Sequence, residues 1–101
     1  MVLLQDKANI LALVNKGLAH HYIQEYDDAI ICYDMVLGIN PKSTTALYNK
    51  ASSLVKIGRI DEGLQILGDV AKMDFSFKAK AKFDIDFADI QKNNEFKKII
   101  L

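Results

Sequence analysis

One proline, one cysteine and five glycines are spread over 101 residues, and each scarcity removes a class of structure. A lone Cys32 excludes an internal disulfide and fits a reducing compartment. So few helix breakers, in a chain half of whose residues are apolar, favour an ordered all-α domain over a loop-rich scaffold. No charge of one sign prevails, because thirteen basic residues meet thirteen acidic ones. A nucleic-acid binder would carry a basic stripe, and none is present. No apolar run approaches the roughly 18 residues of a membrane span. Met1 to Leu13 does not read as a signal peptide, because Asp6-Lys7 interrupts it and no small-residue cleavage site follows. A soluble cytoplasmic protein with no cofactor is the expectation.

What is present is a repeat. From Ala12 to Pro41 an apolar-periodic run, a short polar break and a second periodic run end at Asn40-Pro41, as a helical hairpin stopped by proline would. Shifted by 34 residues, Ala12, Leu13, Asn15, Lys16, Ile23, Asp27 and Val36 fall on Ala46, Leu47, Asn49, Lys50, Ile57, Asp61 and Val70. Gly17 falls on Ala51, Tyr26 on Ile60, Asp28 on Glu62, Ala29 on Gly63, Ile30 on Leu64 and Asn40 on Asp74. A two-helix unit of this length marks a helical solenoid. Gly17 with Ala29, and Ala51 with Gly63, are small residues suited to the crossing of two antiparallel helices, where a large side chain would hold the backbones apart. Tyr33 and Leu67 would fill the wider part of the wedge.

This pattern resembles the tetratricopeptide repeat (TPR), whose period is 34. Lys16-Gly17, Tyr26-Asp27-Asp28-Ala29, Tyr33 and Pro41 sit at that family's signature places. Leu13 and Lys16 replace its usual Trp and Leu, His20 stands where it has Tyr, and Phe75 replaces the closing proline of repeat two. The resemblance implies an all-α fold, a right-handed α-α superhelix of two full hairpins plus a degenerate third. A single domain over 1–101 is expected, with repeat one at about 8–41, repeat two at about 42–75 and the degenerate unit at about 76–101.

In chain order, Met1 to Gln5 is an apolar lead-in and Asp6 a plausible N-cap for a helix over about 7–22. That helix carries two stripes. Ile10, Leu13, Gly17 and His20 face helix two, while Leu11, Val14, Leu18 and Tyr22 form the second. The second stripe lies where such repeats present a groove; cover by Leu3, Leu4 or a second subunit is the alternative. Helix two is expected over 26–39, helix three over 44–57 with Ser43 as cap and Gly58 as stop, and helix four over 60–73. Beyond Asp74, Ala79, Ala81, Phe83, Ile85 and Phe87 alternate as a strand would. Phe83, Phe87 and Ile90 keep helical spacing, and Lys80–Asp84 and Lys82–Asp86 are i, i+4 pairs. A lone strand would leave its backbone unpaired, so a helix is expected. Asn93-Asn94 then breaks the chain before a last helix from Glu95, and the apolar end Ile99-Ile100-Leu101 should pack back into the domain or meet another chain.

No catalytic set emerges. His20 and His21 diverge by about 100° on a helix and cannot share one ion; His20 suits a core edge and His21 the surface or the groove. Cys32 reads as a buried, inert thiol. Asp84, Asp86 and Glu95 fall at the first, third and twelfth places of a calcium loop, but Asp89 replaces its glycine and Ala88 its fifth ligand.

Asn15 and Asn49 lie one repeat apart beside the expected groove. A side-chain amide carries a donor and an acceptor, so it can pair with a peptide backbone of any sequence. Peptide-holding asparagines in some TPR proteins are similar. Leu11, Val14, Leu18 and Tyr22, then Tyr48, Ser52 and Lys56, would line the groove around them, oily in its first half and polar in its second. Some family members clamp a C-terminal carboxylate with Lys and Asn on the first helix; here Val14 and Leu18 occupy those places, so that clamp is not assembled. The expected function is a non-catalytic protein-interaction module that holds a peptide or partner helix with roughly micromolar affinity. Neither nucleic acid nor membrane is an expected partner. The alternative is a structural or oligomerisation role, or part of a longer TPR scaffold, through Leu11/Val14/Leu18 or Ile99/Ile100/Leu101.

Overall fold

The computed structural model describes residues 4–101, with side chains from Asp6 onward. The lead-in at Met1–Leu3, and any cover of the first helix by Leu3 or by the Leu4 side chain, lie outside that description. Every element is helical: α1 (Leu4–Tyr22), α2 (Tyr26–Ile39), α3 (Thr44–Lys56), α4 (Ile60–Met73), α5 (Ser76–Phe83), a 3-10 helix, η1 (Ile85–Ile90), and α6 (Asn94–Ile100). No strand occurs among the described residues. Helix α1 pairs with α2, α3 pairs with α4, and α3 also rests on both α1 and α2. The leading helices α1 and α3 therefore lie side by side, as in a stack of helical hairpins.

The two hairpins repeat down to single hydrogen bonds. The turn after α1 closes with Glu25 N–H donating to His20 C=O (2.8 Å), and 34 residues later Arg59 N–H donates to Leu54 C=O (2.9 Å). Each turn needs one left-handed residue: Gln24 (φ 66°) in the first and Gly58 (φ 88°) in the second. Glycine takes that conformation without the Cβ clash that glutamine meets. At the far ends, Asn40 N–H donates to Val36 C=O (2.8 Å) and Asp74 N–H to Val70 C=O (2.9 Å).

The small residues stand where two helices approach most closely. A Cβ added to Gly17 would lie 2.5 Å from Tyr33 Cε1, and one on Gly63 would lie 2.9 Å from Val55 Cγ2 and 3.0 Å from the Ala51 carbonyl. Ala29, Tyr33 and Val36 fill the first wedge with Val14 and Ala46. Leu64, Leu67 and Val70 fill the second with Tyr48, Ala51 and Val55.

Four expectations change. Asp6 lies inside helix α1 (Leu4–Tyr22), so it is not an N-cap; it stands in the first turn, where a carboxylate complements the helix dipole. Helix α3 ends at Lys56, with Ile57 as its cap residue. The helix expected after Asp74 is two elements, broken at Asp84, whose extended backbone (ψ 125°) turns the chain into η1. The break wins because Asp84 Oδ1 accepts from Asp86 N–H (3.0 Å), a local capping bond that competes with the helix ladder. Lys80–Asp84 and Lys82–Asp86 accordingly form no ion pair, and Phe83 is 80% exposed while Phe87 is wholly buried. Helix α6 starts at Asn94 with Asn93 as cap, its Oδ1 accepting from Phe96 N–H (3.1 Å). Ile99 and Ile100 pack back onto the second wedge, and Leu101 is exposed.

Candidate interaction groove

Two hollows lie along the face shared by α1 and α3. The outer one encloses about 330 Å³ between Lys7, Ile10, Leu11 and Val14 of α1 and Asn40, Ser43 and Thr45 around the α2–α3 connection. The inner one encloses about 320 Å³. Leu18, His21 and Tyr22 of α1 form one wall; Thr45, Tyr48, Asn49 and Ser52 of α3 form the floor; Lys80, Asp84, Ile85 and Asp86 close the far side. Thr45 lines both hollows, so they adjoin.

The far wall is held by a polar network that ties the third unit to both repeats. His21 is buried and bridges two elements: its Nδ1 lies 2.8 Å from Ser53 Oγ and its Nε2 lies 2.9 Å from Asp86 Oδ2. A carboxylate only accepts, so Nε2 carries a proton and donates to Asp86, whichever form the other nitrogen takes. Ser52 Oγ donates to the same Oδ2 (2.7 Å), and Tyr48 donates its hydroxyl to Asp84 Oδ2 (2.7 Å). Burial, followed by the hydrogen bond and the charge of Asp84, pushes the Tyr48 hydroxyl well above its ordinary pKa. Tyr22 and Tyr26 meet the His21 ring edge-on, with centroids 5.9 Å and 5.0 Å away. A serine, a histidine and an aspartate in a chain invite comparison with a nucleophilic triad. Ser53 is wholly buried and lines neither hollow, and its oxygen is taken by His21, so it could not meet an acyl group; the arrangement is a latch.

The residues expected in the groove are distributed unequally. Leu11 (62% exposed) and Tyr22 (76% exposed) stand open at the outer and inner hollows. Leu18 and Asn49 are half-buried and line the inner hollow. Val14 touches the outer hollow but is only 7% exposed, a member of the first core. Tyr48 and Ser52 are buried, and both of their hydroxyls are taken by the chain's own aspartates. Asn15 and Lys56 are exposed and line neither hollow, so the expected pair of amides is reduced to Asn49.

Sequence reasoning missed Asp84, Ile85, Asp86 and Lys80, because a continuous helix past Asp84 would have carried them elsewhere. The Asp-x-Asp spacing at 84–86, an N-cap signal, was the clue available. His21, expected on the surface or in the groove, is buried in the latch at the inner hollow's wall. Elsewhere, His20, Glu25 and Asp28 bring three ligand-capable atoms within 4.8 Å of one another at the α1–α2 turn. The His20–Glu25 hydrogen bond (2.8 Å) and two exposed carboxylates account for that grouping without an ion.

Residues 10–43 match the family model of the tetratricopeptide repeat. Over that third of the chain the sequence is similar to a tetratricopeptide repeat. The match spans the first hairpin and the entry to α3, and the second hairpin repeats the first in its turn and end hydrogen bonds. No curated protein and no solved structure gives a significant match. TPR repeats generally mediate protein–protein contact, and the family is typically a non-catalytic scaffold. No helix among the described residues is long and apolar enough to cross a membrane.

Proposed function

We propose that this chain is a non-catalytic interaction module that receives a peptide or partner helix along the joined hollows of α1 and α3. The observation carrying this reading is their adjacency at Thr45, which makes one groove with an apolar end at Ile10, Leu11 and Val14 and a polar end at Asn49. Apolar contacts supply affinity at one end, and the amide of Asn49 pairs with a backbone group at the other. Residues 76–101, read as a degenerate third repeat, close the groove.

Leu11→Asp, and not Val14→Asp, probes the apolar end, because Val14 belongs to the core. Peptides selected from a random library on the wild-type chain are the probe. Leu11→Asp and Asn49→Ala should each weaken their binding by about 1 kcal/mol or more, with an unchanged melting curve. Binding unaffected by both would remove the groove. The oligomeric alternative through Leu11/Val14/Leu18 or the C-terminal tail has less surface to use. Of those six side chains, only Leu11 and Leu101 are exposed. Light scattering on the isolated chain should report a monomer.

A further inference from the structure

The inner hollow holds one polar atom that the protein does not satisfy. Tyr33 is wholly buried and lines the hollow, and its hydroxyl has no hydrogen-bond partner. An unpaired buried hydroxyl is costly, so its position on a cavity wall points to a group supplied from outside. The surrounding wall is rich in acceptors. His21 and Ser52 both engage Oδ2 of Asp86, which leaves Oδ1 as an acceptor, and Asn49 contributes an amide carbonyl. Two carboxylates, Asp84 and Asp86, face one ammonium, Lys80. That ammonium sits 4.8 Å over the Tyr48 ring and 5.7 Å from the Phe77 ring, and among the described residues no lysine or arginine reaches ion-pair distance of either carboxylate.

We propose that the inner hollow receives the guanidinium of an arginine side chain from the bound peptide, with Asp86 Oδ1, the Asn49 carbonyl and Tyr33 Oη as its acceptors. This rests on the groove reading above and names what its polar end selects. A guanidinium offers five donors in a plane and no acceptor, which suits several acceptors around one cavity. Its flat face can stack on the exposed ring of Tyr22 at the mouth. A carboxylate or phosphate guest would instead meet Asp84 and Asp86 with only Lys80 in return. Burial, with Tyr22, Cys32 and Asp86 nearby, raises the Tyr33 hydroxyl far above its ordinary pKa, so it remains neutral at working pH.

The test uses three small probes on the full chain: N-acetyl-arginine amide, its lysine counterpart, and the neutral isostere N-acetyl-citrulline amide. Each is titrated while backbone amide shifts are followed by NMR. The arginine probe should give saturable shifts at Tyr33, Asn49 and Asp86. Lysine should bind more weakly, and citrulline at least about fivefold more weakly, the worth of a charge-assisted hydrogen bond. Tyr33→Phe keeps the ring and should weaken arginine binding about threefold or more, with a melting temperature that holds or rises. Equal responses to arginine and citrulline, shifts confined to other residues, or unchanged affinity in Tyr33→Phe would each overturn the assignment. Library peptides that depend on Leu11 yet carry no arginine and ignore Tyr33→Phe would overturn it while leaving the groove standing. Peptides indifferent to Leu11→Asp would remove the groove, and the probe titration would still decide the hollow.

Discussion

Removing one carboxylate should loosen the whole third unit. Asp86 is the acceptor for two buried donors, His21 Nε2 at 2.9 Å and Ser52 Oγ at 2.7 Å, and both come from the repeats rather than from its own segment. In Asp86→Ala each donor loses its partner, at about 1–3 kcal/mol per unsatisfied buried group. Asp86 itself is 23% exposed, so water reaches part of the space and the lower half of that range applies. The expected loss is about 2–4 kcal/mol, a large share of the roughly 5–15 kcal/mol that holds a domain of this size. At about 4–8 °C per kcal/mol, the melting temperature falls by roughly 8–30 °C. Circular dichroism at 222 nm, in heat and in urea, reads the change. A double-mutant cycle with His21→Phe should return a coupling energy of about 1 kcal/mol or more, since the two side chains share the interaction. An Asp86→Ala protein within about 0.5 kcal/mol of wild type, or strictly additive energies in the cycle, would refute the latch.

Two glycines should respond with opposite sign to the same change. Gly17→Ala drives a methyl into the buried Tyr33 ring and should cost about 1–3 kcal/mol in urea unfolding. Gly38→Ala meets nothing within 4 Å in helix α2 and should add about 0.5–1 kcal/mol. Gly58→Gln should lower stability by about 1–2 kcal/mol, because it places a side chain at the left-handed turn residue (φ 88°). Tyr33 and Tyr48, two of the four tyrosines, both have hydroxyls raised by burial. Their neutral forms are favoured in the folded state, so their stabilisation is complete below the ordinary tyrosine pKa of about 10 and is lost as pH climbs above it. Absorbance at 295 nm should therefore show these two ionising only with unfolding; four tyrosines titrating together in a folded chain would contradict their burial.

Local signals and long-range contacts divide this molecule cleanly. Where a helix ends by chemistry carried in its own few residues, the ends were legible: α2 and α4 span 26–39 and 60–73 as the spacing indicates, and Ser43 caps α3 by accepting from Ala46 N–H (3.2 Å). The small residues at 17, 29, 51 and 63 were legible too, because a helix crossing admits no others at the closest approach. Segment 76–90 was not, because its apolar spacing fits a helix while Asp84 and Asp86 have partners 36, 34 and 65 residues away in sequence. The groove suffered likewise: Leu11 and Asn49 line the hollows, but Tyr48 and Ser52 were expected to serve a ligand and serve Asp84 and Asp86.

Taken alone, the sequence determined the 34-residue period, the paired helices and the small residues that let them cross, since periodicity, capping and the absence of Cβ act within a hairpin. Which side of the stack stays open was decided only in three dimensions. Burying Phe87 and Ile90 against the second wedge carries Asp84 and Asp86 onto the inner face, where they meet Tyr48, Ser52 and His21. That placement turns an open groove into a hollow with an acidic wall, because a half-buried carboxylate goes where the donors are, however far off in the chain.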